Sequence, residues 1–301
     1  MQPGIAPFIR LIRPKQWLKN FFVFAPLIFA KNLFVGGLFF LACKAFVGFC
    51  LTASIIYVIN DIADQDADRM HPEKRNRPLA AGILKKGHAF AMIAFLLVLD
   101  VAVVADMSLY FQVAIAGYFI LNVGYSFKLK ETVLLDVFVI AAGFMLRVLG
   151  GAYAVGVKVS SWLVLCSMFI SLFLGFAKRR GELVQAQVTG TLAERKVLLV
   201  YRVDVIDQLL TITAAGTVIS YALYSVAPRT IEIFGTEKLI YSTVFVLYGV
   251  FRYIYLVHTT PTVENPTNAV TSDLPIVVTG VCWITFCVLL IYFRDMIPVL
   301  K

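Results

Sequence analysis

The sequence predicts an all-α integral membrane protein, and three observations lead to this fold class. Of the 301 residues, 60% are hydrophobic and only 15% are charged, whereas soluble domains carry about 25% charged residues. The mean hydropathy of +0.85 is difficult to reconcile with a surface that faces water. Long apolar runs recur along the whole chain, and most charged residues lie in the short segments between them. This pattern indicates a bundle of spanning helices.

Nine apolar runs are candidates for membrane spans, because a spanning helix needs about 20 mostly apolar residues. The first run is short, so a tilted or partly interfacial segment is an alternative for it. No linker, repeat or low-complexity tract divides the chain, which predicts a single transmembrane domain over residues 1–301. The nine predicted transmembrane helices are 20–35, 37–59, 88–106, 108–127, 133–155, 161–178, 206–226, 237–257 and 275–293.

The distribution of Lys and Arg predicts the orientation. With the N-terminus in the cytoplasm, 19 of the 27 Lys and Arg residues lie on the cytoplasmic side, 7 lie on the other side, and Arg147 lies within a span. Cytoplasmic loops of membrane proteins carry this excess of positive charge. The net charge of +9 is therefore interpreted as orientation in an inner membrane, and no nucleic-acid partner is expected. The predicted cytoplasmic loops are 60–87, 128–132, 178–205 and 252–274.

An acidic motif, NDIADQDAD, begins at Asn60 and continues the second predicted span into a cytoplasmic loop. On a helix, Asp61, Asp64 and Asp68 share one face, whereas Asp66 points away and is expected to be a solvated charge. Stacked carboxylates repel one another, and Mg²⁺ relieves this repulsion while it also binds substrate phosphates. The motif therefore predicts a Mg²⁺ site with Asp61, Asp64 and Asp68 as ligands and catalytic groups. A solvated acidic helix end is the competing interpretation.

Basic clusters on the same predicted side suit a metal–diphosphate complex, because cations can hold the phosphate oxygens that the metal leaves free. The segment HPEKRNRP, which begins at His71, follows the acidic motif directly. Arg is well suited to bidentate phosphate contacts. Charge that only sets the orientation is the competing interpretation. The candidate substrate-binding residues are Lys19, Asn60, Lys74, Arg75, Arg77, Tyr125, Lys128, Lys130, Arg147, Lys178 and Arg179.

Two further features have both a functional and a structural interpretation. An intramembrane cation is costly, so Arg147 is a functional candidate, with Asp136 or a substrate phosphate as its partner. A purely structural pair with a carboxylate is the alternative. Near the N-terminus, Trp17 is typical of an interfacial anchor. Lys19 and Asn20 lie beside it and either share this anchoring role or face the same cavity.

The acidic motif on the second of nine predicted spans resembles the first aspartate motif of the UbiA-type membrane prenyltransferase superfamily. The resemblance covers nearly the whole chain and implies nine helices around a central cavity that opens toward the cytoplasm and toward lipid. Typical aromatic prenyltransferases of this superfamily carry a second DxxxD-like motif after the fourth helix. Here, the segment from Tyr125 to Asp136 offers Lys128, Lys130 and a single aspartate instead.

With this change in the segment 125–136, the sequence more closely resembles the polyprenyl-phosphate phosphoribosyltransferases within the superfamily. The other segments that carry the resemblance are RPKQWLKN at 13–20, HPEKRNRP at 71–78, RV at 147–148 and KRRGEL at 178–183. It implies that 5-phosphoribose passes from 5-phosphoribosyl 1-diphosphate to decaprenyl phosphate or a similar lipid, with release of diphosphate. The product would serve lipid-linked arabinofuranose and cell-envelope glycan synthesis.

The resemblance also implies a role for each group of residues. Mg²⁺ on the three motif aspartates would neutralise the leaving diphosphate. Lys74, Arg75 and Arg77 would hold the ribose 5-phosphate, and the other basic residues would hold the lipid phosphate or the diphosphate. Asp136 or a motif carboxylate would stabilise an oxocarbenium-like ribosyl centre.

Two other functions compete with phosphoribosyl transfer. A UbiA-type prenyltransferase would move a prenyl group from a polyprenyl diphosphate to an aromatic acceptor, and the missing second acidic pair argues against it. A transporter or channel would fit intramembrane charge, but the acidic motif lies at a helix end rather than at mid-membrane. The expected partners are the two phosphorylated substrates and membrane lipid, and the sequence is compatible with a homo-oligomer.

Overall fold

The structure, a computed structural model, describes residues 4–70, 74–189, 198, 200–259 and 272–293. Every regular element in these ranges is a helix. The α-helices are α1 (Ile5–Ile12), α2 (Ala25–Phe29), α3 (Gly36–Ala63), α4 (Gln65–Met70), α5 (Lys86–Val104), α6 (Leu109–Phe127), α7 (Leu135–Ala154), α8 (Ser161–Thr189), α9 (Val203–Ser225), α10 (Pro228–Phe234), α11 (Thr243–Thr259) and α12 (Leu274–Tyr292). Short 3-10 helices span Pro14–Phe24, Lys74–Asn76, Leu129–Glu131 and Lys238–Ser242.

Within the described ranges, eight helices are long and apolar enough to cross a membrane. They coincide with the second to the ninth predicted spans, so the all-α membrane fold class is confirmed and the count of nine is not. The eight spans are Gly36–Ala63, Lys86–Val104, Leu109–Phe127, Leu135–Ala154, Ser161–Gln187, Val203–Ser225, Lys238–Thr259 and Leu274–Tyr292.

The first predicted span, 20–35, is not one α-helix. The chain forms a 3-10 helix over Pro14–Phe24 and then the short α2. Side chains three residues apart align along a 3-10 helix, and Trp17, Asn20 and Val23 follow this spacing. Asn20 and Val23 are fully buried, and the Trp17 indole donates a hydrogen bond to Ser54 on α3 at 3.0 Å. The buried stripe of period three therefore favours the 3-10 form over an α-helix in this segment.

Gly151 on α7 allows the backbone of this 3-10 helix to pack closely against it. A Cβ at Gly151 would lie 2.0 Å from the carbonyl oxygen of Val23 and 2.8 Å from its carbonyl carbon. Backbone atoms cannot move away as the end of a flexible side chain can. Only glycine therefore fits at this contact.

Gly151→Ala is expected to destabilise the protein by at least about 3 kcal/mol, because overpacking a rigid contact commonly costs 1–3 kcal/mol and here the clash is with backbone. The matched control is Gly117→Ala on α6, where an added Cβ meets no atom within 4 Å. Thermal unfolding of both purified variants in detergent measures the difference. Equal melting temperatures for the two variants would contradict the close contact.

The chain divides into two compact units. The first contains the described parts of residues 1–130 and 145–158, and the second contains those of 131–144 and 159–301. In the first, Phe49 packs edge-on against Phe111 and Tyr118. In the second, buried residues of α7, α8, α9 and α11 form one apolar core, and Arg180 on α8 donates a hydrogen bond to Asp207 on α9 at 2.6 Å.

Candidate functional site

The acidic motif lies where α3 gives way to α4, in the first unit. The N–H of Asp64 donates to the carbonyl of Asn60 at 2.9 Å, and the N–H of Asp68 donates to the carbonyl of Asp64 at 2.8 Å. Helical hydrogen bonding therefore continues through the junction and keeps Asp61, Asp64 and Asp68 on one face. Asp61 and Asp68 are buried, with 1% and 4% exposure, whereas Asp66 is exposed as the spacing predicts.

Each of the three carboxylates on this face is paired with a cation. Arg77 bridges two of them, with its Nη1 at 3.2 Å from Asp61 Oδ1 and 2.6 Å from Asp68 Oδ2. Lys130 Nζ lies 3.0 Å from Asp64 Oδ1. Arg13 forms a further ion pair with Asp61. The three cations are about one quarter exposed, so the buried acidic face is covered by cations that reach solvent. We call these six residues the acid–base cluster.

Arg77 is positioned by a well-anchored loop. Leu79 and Leu84, which follow it, are buried with Leu11 and Val58 in one apolar cluster. Side chains from α4 also hold the loop backbone: Gln65 donates to the carbonyl of Leu79 at 3.0 Å. Apolar burial and a buried hydrogen bond thus hold the backbone that follows Arg77, and this places its guanidinium beside the carboxylates.

Arg13 is positioned by the end of α1. It has a left-handed backbone conformation, with φ 51° and ψ 62°, which is unusual for a residue other than glycine and costs of order 1–3 kcal/mol. The preceding carbonyl, that of Ile12, accepts a hydrogen bond from Ser54 on α3 at 3.0 Å. The guanidinium lies over the Tyr57 ring, 5.1 Å from its centroid. The strained turn thus directs Arg13 toward Asp61, near the C-terminal end of α3.

The cluster fits a divalent cation whose coordination a substrate completes. Asn60 Oδ1 and Asp61 Oδ2 are buried and have no hydrogen-bond partner, and oxygen atoms of this kind are the ligands that Mg²⁺ prefers. Among the described residues, no group of three His, Cys, Asp or Glu side chains converges to hold a metal by itself.

Arg147 lies in a second buried polar group of the first unit. Its Nε donates to Asn20 Oδ1 at 2.6 Å and its Nη2 donates to the Tyr118 hydroxyl at 2.6 Å. The guanidinium also lies 4.5 Å from the centroid of the Tyr118 ring. Asn20 in turn donates to Cys50 Sγ at 3.2 Å. Hydrogen bonds to neutral groups therefore hold this intramembrane cation in place.

Asp136 and Arg179 form a buried ion pair in the second unit, and both side chains are fully buried. Arg179 Nε donates to Asp136 Oδ2 at 2.6 Å, and the Tyr201 hydroxyl donates to Asp136 Oδ1 at 2.8 Å. Arg179 also pairs with Glu182. Both carboxylate oxygens of Asp136 are thus engaged. The catalytic role expected for Asp136 stays a prediction.

Tyr201 connects this pair to the backbone, because its hydroxyl also accepts a hydrogen bond from the N–H of Leu134 at 2.7 Å. Burial and the hydrogen bond to Asp136 raise the pKa of the Tyr201 phenol, so it stays protonated and donates. Tyr201→Phe is expected to destabilise the protein by about 1–3 kcal/mol, since a buried oxygen of Asp136 and the N–H of Leu134 both lose this partner.

The matched control for that prediction is Tyr241→Phe, which removes the hydroxyl of an exposed tyrosine. Thermal unfolding measures both variants. A Tyr201→Phe melting temperature equal to that of the control would show that the Asp136 network contributes nothing to stability.

The remaining candidates lie nearer the surface. Lys19, Arg75 and Lys128 are exposed, whereas Lys74, Tyr125 and Lys178 are partly buried. Lys178 lies 3.8 Å from Glu182. The structure therefore brings Asp61, Asp64, Asp68, Arg77 and Lys130 together. Sequence reasoning assigned no individual role to Arg13, Tyr118 or Tyr201.

A comparison with protein families decides the affiliation of this fold and site. Residues 20–270, which are most of the chain, match the sequence pattern of the UbiA prenyltransferase family. The chain belongs to the UbiA prenyltransferase family. The family and the eight apolar helices of the described residues together identify the chain as a multi-pass membrane protein.

The chain is also similar to two curated proteins that share one name. The chain is 38% identical over 220 residues to decaprenyl-phosphate phosphoribosyltransferase of Corynebacterium glutamicum, and the match covers 72% of this chain and 66% of the relative. It thus spans just under two thirds of the length of that relative. The protein of the same name from Mycolicibacterium smegmatis is 35% identical over 225 residues, with 73% and 70% of the two chains covered.

A solved structure shows the same fold. The UbiA homolog from Archaeoglobus fulgidus bound to GPP and Mg²⁺ superposes with a TM-score of 0.69 at 20% identity, and the match covers 95% of this chain and 99% of that one. The UbiA-like fold class predicted from the acidic motif is therefore confirmed.

Proposed function

We propose that this UbiA-family chain transfers 5-phosphoribose from 5-phosphoribosyl 1-diphosphate to decaprenyl phosphate or a similar polyprenyl phosphate, and releases diphosphate. The names of the relatives that are 38% and 35% identical support this activity. The product, a polyprenyl-phosphoryl-5-phosphoribose, is the kind of donor from which lipid-linked arabinofuranose is made.

The state of Asp136 is the observation that favours this function over prenyl transfer. A prenyltransferase with two acidic motifs would need a carboxylate of the segment 125–136 for a second metal contact. Asp136 is the aspartate in this segment, and Arg179 and Tyr201 engage both of its oxygens. Lys130 of the same segment contacts Asp64 of the acidic motif instead. The segment therefore brings a cation to the acidic motif, while its aspartate is engaged by Arg179 and Tyr201.

The charge of the acid–base cluster suits substrates that are rich in phosphate. Phosphoribosyl transfer must hold a diphosphate, a 5-phosphate and a lipid phosphate, whereas prenyl transfer to a neutral aromatic acceptor holds one diphosphate. Arg13, Arg77 and Lys130 already lie at the carboxylates. Lys74 and Arg75 lie in the 3-10 helix just before Arg77. Arg and Lys bind phosphate oxygens through charge-assisted hydrogen bonds.

The proposed reaction breaks the bond between the ribose C1 and the diphosphate oxygen and forms one between C1 and an oxygen of the lipid phosphate. The lipid phosphate is already ionised, so it needs no general base. Catalysis then consists of positioning the two substrates and stabilising the charge that develops on the leaving diphosphate. Arg77 and Arg13 would hold phosphate oxygens, and Asn60 would orient the diphosphate through its buried amide oxygen and its N–H₂ group.

The cofactor proposed for this site is Mg²⁺, held by Asp61, Asp64 and Asp68. When bound, it would neutralise the negative charge of the diphosphate and so make it a better leaving group. The buried, unpartnered oxygens of Asn60 and Asp61 support an oxygen-liganded cation here.

The proposed orientation places the site at the cytoplasmic face of an inner membrane, and it can be tested by labelling. A cysteine introduced at Lys74 is expected to react with a membrane-impermeant maleimide only from the cytoplasmic side. One introduced at Lys158, on an exposed segment between α7 and α8, is expected to react only from the opposite side. The positive-inside distribution of charge is the reason. Labelling of position 74 from outside intact cells would reverse the orientation.

A substrate-exchange assay tests the proposed function. The purified chain in lipid nanodiscs receives either 5-phosphoribosyl 1-diphosphate with a polyprenyl phosphate, or a polyprenyl diphosphate with an aromatic acceptor. We expect diphosphate release that depends on both partners of the first pair and no release with the second pair. Turnover of the second pair alone would replace this function with prenyl transfer.

A further inference from the structure

The acid–base cluster is electrically balanced by its own side chains. Three carboxylates, those of Asp61, Asp64 and Asp68, face three cations in direct ion pairs. Two of the carboxylates are buried, and a buried charge that loses its partner is strongly destabilising. The cations therefore stabilise an acidic face that would otherwise repel itself.

The same cations occupy oxygen atoms that a metal ion needs. Arg77 bonds Asp61 Oδ1 and Asp68 Oδ2, and Lys130 bonds Asp64 Oδ1. A divalent cation that binds these oxygens must displace the guanidinium and the ammonium. Mg²⁺ alone would then add two positive charges to a neutral cluster and also release two cations into a partly buried space. Both effects weaken binding of the free metal.

Diphosphate changes this balance. Its negative charge compensates the added metal ion, and its oxygens supply new partners for the displaced cations. Phosphate oxygens accept charge-assisted hydrogen bonds from Arg and Lys, and these bonds are as strong as the ones that a carboxylate accepts. The exchange of partners then leaves no cation without an acceptor and no carboxylate without a counter-charge.

We infer that Arg77 and Lys130 compete with Mg²⁺ for the motif carboxylates and move to phosphate oxygens when the metal arrives with a diphosphate. The two side chains therefore inhibit the binding of free metal ions by competition. Free Mg²⁺ binds weakly, and the Mg²⁺–diphosphate complex binds tightly. The inference rests on the proposed function for the identity of the diphosphate, but not for the competition itself.

The test is Mg²⁺ binding to the purified protein without substrate, measured by isothermal titration calorimetry. Arg77→Met keeps the apolar stem and removes the charge that contacts Asp61 and Asp68. The Arg77→Met variant is expected to bind Mg²⁺ about tenfold more tightly than the unmodified chain, because the metal no longer has to break a charge-assisted hydrogen bond to the carboxylates. Arg77→Gln serves as a second variant if the methionine variant unfolds, and Lys130→Met is expected to change affinity in the same direction.

Matched controls separate competition from a general change in charge. Arg75→Met and Lys128→Met each remove one positive charge within two residues of the tested positions, and both side chains are exposed. Each is expected to change Mg²⁺ affinity by less than about twofold, because solvent screens exposed charges. Adding Asp68→Asn to Arg77→Met is expected to abolish the gain, which locates the tighter metal at the acidic motif.

A second titration uses inorganic diphosphate as the probe. In the unmodified chain, saturating diphosphate is expected to raise Mg²⁺ affinity more than it does in Arg77→Met, because the variant has no guanidinium to transfer. If Arg77→Met binds free Mg²⁺ no more tightly than Arg75→Met, the competition is refuted. That result would leave the proposed function intact if the unmodified chain still turns over phosphoribosyl diphosphate. Tighter metal binding without such turnover would support the competition and refute the function.

Discussion

Asp68→Asn is expected to lower kcat/KM by about 10²–10³-fold or more, the range found when one group that stabilises transition-state charge is removed. Asp68 is buried, and its carboxylate bonds Arg77 at 2.6 Å. The amide keeps the shape and one acceptor oxygen but loses the charge that a divalent cation requires. A chelator is expected to have the same effect on the unmodified chain, and added Mg²⁺ is expected to restore its activity.

Asp66→Asn is the matched control, because Asp66 lies in the same short helix but is exposed and pairs only with Arg69 among the described residues. It is expected to retain activity within about twofold, as an exposed ion pair contributes little. Steady-state kinetics on both variants, with thermal unfolding to confirm folding, provide the comparison. Full activity of Asp68→Asn would remove the acidic motif from the proposed mechanism.

Arg77→Ala is expected to weaken phosphoribosyl diphosphate binding by roughly 10- to 150-fold at saturating Mg²⁺, because a lost charge-assisted hydrogen bond costs about 1.5–3 kcal/mol. Binding of polyprenyl phosphate is expected to change much less. The reason is the position of Arg77 across Asp61 and Asp68, next to the oxygens that would hold the metal and its diphosphate.

Lys86→Ala is the control for loop charge, since Lys86 is an exposed cation at the start of α5 and has no role in the proposed site. Equilibrium binding of each substrate to the two variants separates a local contact from a general loss of positive charge. Equal losses for both substrates in Arg77→Ala, or equal effects of the two variants, would contradict the assignment of Arg77 to the ribosyl donor.

Helix positions and the acidic face could be predicted from the sequence because both depend on local patterns. Long apolar runs specify the eight spans by length alone. The i, i+3, i+7 spacing places Asp61, Asp64 and Asp68 together on any helix, and the structure retains this face although α3 ends at Ala63. The 3-10 helix at Pro14–Phe24 was not predicted, because its residues have the same apolar composition as an α-helical span. A buried stripe of period three over so few residues is also hard to distinguish from the period of an α-helix.

Pairings between distant residues could not be predicted from these patterns. Asp136 forms its pair with Arg179, 43 residues further along the chain, and no spacing rule distinguishes that partner from Arg147. The contact of Arg13 with Asp61 could not be predicted, because it depends on a left-handed turn at the end of α1. Tyr201 carried no signal, since a tyrosine in a basic loop is typical of an interfacial position.

The most direct test of the central claim is the identity of the lipid product. Membranes that contain the chain, incubated with Mg²⁺, 5-phosphoribosyl 1-diphosphate labelled in the ribose and decaprenyl phosphate, are extracted, and the lipids are analysed by mass spectrometry. The account predicts a labelled decaprenyl-phosphoryl-5-phosphoribose in the unmodified chain, and none in Asp68→Asn. Label that stays entirely in the aqueous phase, while a polyprenyl diphosphate is consumed by the same membranes, would contradict phosphoribosyl transfer.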